Sequence, residues 1–350
     1  MKVLFFGLGG VGQRHLRNLI KINPDIIFGA IRTKGRSFEI GDDLKPDYDT
    51  DIVSKYNIKV FPSFAQAGEF DPDFAIVTNP TSCHVETALE LVSSGVPVFL
   101  EKPISSNHDK LNELVQIHQE KKVPLMVGYM MRFNPCAIKI KEMLESQRVG
   151  RIYSVVLIIN SYVPSWHSYE KYNEFYAGMR SLGGGVVLTE IHELDLLNWY
   201  FGAPNRLWAV GGKLSSLNMD VEDTVSILME QEHKSERFPI NINMSFVQKT
   251  PLRRMTIQGE EGIIEWDISS SKIIIKDTNG KEEVFDNSDF KRNDMFIAEL
   301  KHFMECIKQK KEPLASLSKV IEGHLTALAI KDSLEKSMII EQFALFREGV

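Results

Sequence analysis

Apolar and polar positions follow two different rhythms along this chain, and the rhythm changes part-way. Val3 to Phe6 is a short continuous apolar run of the kind that makes a buried strand, and it ends in Gly7-Leu8-Gly9-Gly10-Val11-Gly12. From Gln13 to Ile22 the apolar residues Leu16, Leu19 and Ile20 return at helical spacing, and Ile26 to Ile31 follows as a second strand. Phe74 to Thr78 predicts a third strand, Glu86 to Leu91 a helix and Val96 to Leu100 a fourth core strand. The first third therefore reads as βαβ units around an open parallel sheet.

From Ile152 onward β-branched runs dominate. Strand candidates recur at Ile152 to Ile159, Leu207 to Val210, Val225 to Met229, Ile240 to Phe246, Met255 to Ile257, Ile263 to Ile268 and Ile273 to Ile275, enough for one large sheet. Between the first two, Gly183-Gly184-Gly185 opens a segment that becomes an amphipathic helix and closes at Gly202. Asn279-Gly280, inside a mixed-charge stretch, is a hairpin signal and not a site.

Composition narrows the function classes. At 350 residues, with 43% hydrophobic and 25% charged content, the chain is an ordinary globular protein of roughly two domains. With 41 Lys and Arg against 47 Asp and Glu, its net charge of -6 offers no basic field, so neither a nucleic acid nor a membrane is expected as partner. Cys83, Cys136 and Cys306 lack the paired spacing of a disulfide framework or a zinc site, which fits a reducing cytoplasm and no metal. The apolar run at the N-terminus is too short for a signal peptide, and no run of eighteen apolar residues predicts a membrane-spanning helix.

The glycine pattern stands where a dinucleotide fingerprint must stand, after a strand and before a helix. Gly7 permits the tight turn, Gly9 lets the backbone approach a pyrophosphate, and Gly12 lets helix and strand pack; the amides of the helix start, at Gly10 and Val11, then hold the phosphates. Arg32 and Thr33 stand just past the end of the second strand, where an NAD site usually carries an acid for the ribose hydroxyls. The cations Arg32, Lys34 and Arg36 suit a 2′-phosphate, pointing to NADP with NAD as the alternative; a solvated basic loop is the bland reading. The fourth strand delivers Glu101-Lys102-Pro103 at its carboxyl end, where Lys102 can donate to a hydroxyl or carbonyl oxygen.

These motifs, together with Asn79-Pro80-Thr81-Ser82-Cys83-His84, Gly128-Tyr129-Met130-Met131-Arg132-Phe133-Asn134-Pro135 and His192-x-x-Asp195, resemble the family of glucose–fructose oxidoreductase and inositol dehydrogenase over nearly the whole chain. The resemblance implies an α/β protein: a Rossmann domain over 1–127 and, over 128–350, an α+β domain with a large open, mostly antiparallel sheet, whose late helix at 294–311 packs back on the first domain. It implies hydride transfer between NADP or NAD and a carbinol or ketone carbon of a sugar, nucleotide sugar or cyclitol, without metal. By the same resemblance Lys102 orients the substrate hydroxyl and the nicotinamide, Pro103 is often cis, and Asn79, Pro80, His84 and Glu101 line the cofactor pocket.

His192 is the candidate proton carrier, since an imidazole titrates near neutral pH. In the commonest family pattern an aspartate precedes this histidine by four residues, but here that position is Leu188. Glu190 or Asp195 then remain as partners of His192, or Lys102 and His192 act as a pair. Asp195 and Glu190 are also candidate substrate contacts, as are Arg132 and Asn134 at the domain crossing, whereas Met130 and Met131 read as packing. Trp166 and His167 lie in an aromatic loop running from Ser161 to Arg180, similar to the family's bacterial surface-sugar branch; it suits a sugar ring or a subunit interface equally. A sheet with one uncovered face predicts a homodimer or homotetramer. Two rivals keep the scaffold: an NADP-sensing regulator without turnover, and a redox-neutral enzyme working through a transient ketone.

Overall fold

The computed structural model describes residues 1–32 and 37–341. The N-terminal half runs β1 (Lys2–Phe6), α1 (Gly10–Ile22), β2 (Ile27–Ile31), β3 (Phe38–Ile40), β4 (Pro46–Asp51), α2 (Ile52–Lys55), β5 (Lys59–Phe61), β6 (Phe74–Val77), α3 (His84–Ser93), β7 (Val98–Leu100), α4 (Leu111–Lys121) and β8 (Leu125–Val127). Six of these strands form an all-parallel sheet in the order β5-β2-β1-β6-β7-β8. Chain order reverses between β1 and β6, the crevice where such sheets bind ligands. The central strands are apolar because both faces are covered: Val3, Leu4, Phe5, Ala75, Ile76 and Phe99 have no solvent exposure, whereas the edge strand β5 is largely open.

The second half runs α5 (Pro135–Glu145), β9 (Ile152–Tyr162), α6 (Val186–Thr189), α7 (His192–Phe201), β10 (Arg206–Gly212), β11 (Thr224–His233), β12 (Glu236–Ser245), β13 (Val247–Gly259), β14 (Gly262–Asp267), β15 (Lys272–Asp277), β16 (Glu282–Asp286), α8 (Arg292–Gln309), α9 (Leu317–Lys336) and β17 (Ile340–Glu341). Its nine strands pair in the order β16-β15-β14-β13-β9-β12-β11-β10-β17, antiparallel except where β12 runs parallel to β9. The large, mostly antiparallel sheet of the sequence reading is thus present. Alternation explains its single covered face: in β11, Val225, Ile227 and Met229 point into the core while the residues between them are open.

The segment from Val186 to Phe201 departs from the expected amphipathic helix. It breaks into α6 and α7, and α7 buries eight of its ten residues, polar ones included, because α9 packs along it. α8 returns to the first domain: Phe303 sets its ring edge-on against Phe74 and Phe99, with centroids 5.6 and 5.8 Å away. Asn18 of α1 and Asn293 of α8 exchange hydrogen bonds of 3.2 and 2.8 Å, pinning the two helices together. Among the described residues no helix is long and apolar enough to cross a membrane.

Candidate active site

The carboxyl ends of β1, β6 and β7 open into a cleft of about 670 Å³, a size typical of small-molecule sites, whose far wall comes from β9, the aromatic loop, α7, β13 and the start of α8. At its floor Gly7 has φ of 96°, and a Cβ there would lie 2.9 Å from the Thr78 carbonyl oxygen. A Cβ on Gly12 would fall 2.7 Å from Thr78 Oγ1, so only glycine lets α1 sit this close to β6. Gly9 differs, because a Cβ on it would meet nothing within 4 Å and would project into open space. Gly9 also caps α1 without a side-chain bond, and no acid stands in the first turn, leaving the amides of Gly10 and Val11 available to an anion. This cradle fits a dinucleotide pyrophosphate.

Asn79, Pro80 and His84 line the same cleft. Asn79 donates to Thr87 Oγ1 at 2.9 Å and leaves its buried Oδ1 without a partner. The His84 ring sits between the carbonyl oxygens of Pro103, 2.7 Å from Nδ1, and of Asn79, 2.9 Å from Nε2, so it ties two strand-end turns together. Burial lowers its pKa against the pull of those carbonyls, and a neutral ring donates to one of them. Arg32 lines the cleft at the end of β2, half-buried, with its pKa lowered by burial. Thr33 lies outside the described residues.

The Lys102–Pro103 peptide is cis, and Lys102 Nζ donates to the Thr189 carbonyl at 2.8 Å. That bond joins the Rossmann domain to the turn that carries His192. Behind Lys102, Glu101 Oε1 accepts from His15 Nε2 at 2.6 Å. Burial alone would raise the Glu101 carboxyl, but the hydrogen bond and charge of His15, with Lys102 and His84 nearby, hold it below its usual range. Glu299, fully buried without a hydrogen-bond partner, is pushed well above the carboxylate range by burial and by Glu101. The cluster thus sets a carboxyl held low beside one pushed high, with ligand atoms of His15, Glu101 and Glu299 within 4.8 Å of one another.

His192 lines the cleft and is only 6% exposed. Its ring stands edge-on to Tyr129 with centroids 6.2 Å apart, and its buried Nδ1 has no hydrogen-bond partner. Burial first, then the charges of Lys102, Arg253 and Arg292, drive its pKa well below the usual histidine value, so the imidazole is neutral at pH 7. Neither acid proposed as its partner bonds to it. Glu190 lines the cleft but is engaged by Arg253 at 3.4 Å and by Ser161 Oγ at 3.4 Å. Glu193, buried beside it, pairs with the same arginine.

Asp195 and Arg132 require a correction, because neither lines the cleft. Arg132 Nε and Nη2 each donate to an Asp195 carboxylate oxygen at 2.8 Å, and both side chains are at most 2% exposed. Arg132 also donates to the Leu314 carbonyl at 3.2 Å and lies 5.5 Å from the centre of the Trp199 ring. His192 and Asp195 do share a helical face, but Asp195 is one turn deeper, where it clamps α7 to the domain crossing. Asn134 is likewise inside, capping α5 through the amide of Cys136 at 2.8 Å. Trp166 and His167 do line the cleft; Trp166 is held edge-on by Phe246 at 5.3 Å, and His167 stacks on Tyr169 at 4.9 Å.

The sequence reading missed three arginines that line the cleft, Arg14, Arg253 and Arg292. Arg14 carried a readable signal, since it follows Gly10 by one helical turn on the face that meets the cofactor crevice. The others depend on how β13 and α8 are placed.

Residues 1–129 match the model of an oxidoreductase family with an NAD-binding Rossmann fold, and residues 137–265 match the GFO/IDH/MocA C-terminal domain. The chain belongs to the GFO/IDH/MocA oxidoreductase family. Similar members include the myo-inositol 2-dehydrogenase of Thermotoga maritima, 23% identical over 97% of this chain and 98% of its own length. Another is the 2,7-anhydro-N-acetylneuraminate hydratase of Mediterraneibacter gnavus, 24% identical over 81% of this chain and 72% of its own. Among solved structures, the WlbA dehydrogenase from Bordetella pertussis in complex with NADH and UDP-GlcNAcA superposes with a TM-score of 0.79 at 18% identity, covering 97% of this chain and 98% of that one. Membership in the GFO/IDH/MocA family makes this chain an oxidoreductase with an NAD-binding Rossmann domain.

Proposed function

We propose that this protein is an NADP-preferring dehydrogenase that interconverts a carbinol and a ketone on a sugar, nucleotide sugar or cyclitol. The observation that carries the reading is the meeting of Lys102 and His192 at the Thr189 turn, directly beyond the glycine cradle. The bound nicotinamide supplies a hydride acceptor or donor. In the oxidative direction the neutral His192 imidazole takes the hydroxyl proton, and the Lys102 ammonium donates a hydrogen bond to the oxygen as negative charge grows on it. The surrounding cations then favour loss of that proton from His192. In reduction the same groups return the proton in reverse order.

Preference for NADP rests on Arg32 at the end of β2, where an NAD site would usually place an acid. The polyol-like substrate class is supported by the named activities of the inositol and sugar dehydrogenase relatives. A redox-neutral cycle is the second reading, favoured by the hydratase among the relatives. Three free cysteines, Cys83, Cys136 and Cys306, suit the cytoplasm.

The test is titration with NADPH and NADH followed by a 340 nm absorbance screen over cyclitols, sugars and nucleotide sugars. NADPH binding with turnover supports the proposal, and Lys102→Ala and His192→Ala should each lower kcat by about 10²–10⁴-fold with NADPH affinity nearly intact. Conversion of a substrate with no net absorbance change favours the redox-neutral cycle. Full turnover in both variants overturns the site.

A further inference from the structure

The cleft holds more positive charge than its acids balance. Arg253 is spoken for by Glu190 and Glu193, and Glu101 by His15. Asp42, near the far end of α1, pairs with Arg17 and Lys21. With Arg32 placed toward the cofactor and Lys102 at the reacting oxygen, Arg14 and Arg292 are left: among the described residues no carboxylate stands within 4 Å of either guanidinium, and neither makes a hydrogen bond. Both line the cleft.

Geometry brings the two together. Arg14 stacks over the Phe296 ring with 4.7 Å between guanidinium carbon and ring centre. Phe296 follows Arg292 by four residues in α8, so the two project from one helical face about 5–6 Å apart at Cβ. The reciprocal Asn18 and Asn293 bonds hold α1 and α8 in that register. Arg292 keeps an exposed side chain because it reaches into the open cleft, yet it lies deep enough that burial, then Arg14 and Arg253, lower its pKa. Two like charges held side by side with no acid in contact, the nearest carboxylates acting on them only at a distance, are unfavourable in the free protein, and an oxyanion between them relieves the repulsion with fork-shaped hydrogen bonds. Arg292 lines the same cleft as the reacting pair, Lys102 and His192.

We infer that Arg14 and Arg292 form an anion-reading subsite beside the reaction centre, and that the substrate is an acidic sugar derivative carrying a carboxylate or phosphate group. This inference rests on the dehydrogenase reading and names the substrate class for that same cleft. Arg14 and Arg292 act here as specificity-determining residues, and Arg253, neutralised by its two glutamates, frames the subsite without supplying net charge.

The experiment uses the full chain saturated with NADPH or NADH, whichever it binds more tightly, so that carbinol probes bind without reacting. D-glucuronate, D-glucose 6-phosphate, UDP and neutral D-glucose are titrated by calorimetry into the wild type, Arg292→Met, Arg292→Lys and Arg14→Met. At least one anionic probe is expected to bind about tenfold or more tightly than D-glucose, and the gap should shrink in high salt. Glucuronate, the sugar phosphate or UDP as the best probe would then identify the carboxylate, phosphomonoester or nucleotide diphosphate as the source. Arg292→Met should abolish the gap while dinucleotide affinity stays within about threefold, and Arg292→Lys should restore part of it. The inference is overturned if no anionic probe is preferred, or if the preference survives in Arg292→Met. It is also overturned if Arg292→Met loses dinucleotide and anion together, since the arginine would then serve the cofactor pyrophosphate. Failure of the wild type to bind either dinucleotide overturns the dehydrogenase reading itself and this inference with it.

Discussion

Asp195→Asn is the sharpest perturbation available, because it separates a residue that reacts from one that anchors. The substitution keeps the shape of the side chain and removes its charge, leaving the Arg132 guanidinium buried with the Leu314 carbonyl and a single amide oxygen, while an NH2 group replaces the second carboxylate oxygen that accepted at 2.8 Å. Both partners are at most 2% exposed, so water cannot substitute for the lost charge. Breaking a buried pair from one side typically costs about 3–5 kcal/mol, most of it the uncompensated charge left behind. For a domain of this size that corresponds to a drop in Tm on the order of 10 °C. Guanidinium unfolding followed by tryptophan fluorescence is a suitable assay, since Trp199 lies against Arg132. The double variant Arg132→Met/Asp195→Leu should recover most of the loss, because no charge then remains buried. Turnover of folded Asp195→Asn at low temperature should stay within about tenfold of wild type, reflecting only a small displacement of α7. A loss of less than about 1 kcal/mol, combined with a fall in turnover beyond about a hundredfold, would refute the anchoring argument and return Asp195 to the reaction.

Three further outcomes follow from the same geometry. With its folded pKa lowered by burial and by Lys102, Arg253 and Arg292, His192 stays unprotonated to lower pH than a free imidazole, so the acid limb of kcat/KM for oxidation should have its midpoint below pH 6.5; a midpoint at or above that value contradicts the assignment. Gly12→Ala would place a methyl 2.7 Å from Thr78 Oγ1 and 2.8 Å from the Gly7 carbonyl oxygen, and should cost about 1–3 kcal/mol and at least tenfold in dinucleotide affinity; unchanged melting and affinity would show that the turn gives way freely. On the open face of the large sheet, cross-strand registry aligns exposed Trp208, Leu228 and Val156 in one row through Asn241, an apolar surface suited to a second copy of the chain. Light scattering should report a homo-oligomer that Trp208→Glu dissociates, and a monomeric wild type would dismiss that surface as an interface.

Much of the architecture was already written in local patterns. The glycine turn, the apolar strands around it and the period-two runs after Ile152 are decided by neighbours in sequence, because steric limits on φ and ψ and the alternation of a pleat act over a few residues. Candidate cleft residues such as Lys102 and His192 were legible for a related reason, since a strand end or a helix start can be located without knowing the whole fold. The short strands β3, β4, β5 and β8 escaped, as three to six residues carry too little periodicity to mark them.

Pairing of charges belonged to the tertiary structure alone. Sequence spacing set His192 and Asp195 on one face of a helix, but depth along that face was decided by α9 and the domain crossing, which enclosed Asp195 with Arg132, 63 residues away in sequence. Glu190, two residues before His192, was taken up by Arg253 from a distant strand. The histidine was thereby left without an acid and held neutral, and Arg14 and Arg292 were brought together from the two ends of the chain. Local chemistry selects turns and faces because its forces are short-ranged; which buried charge meets which depends on how whole elements stack, since desolvation and Coulomb energy are set by everything that surrounds the group.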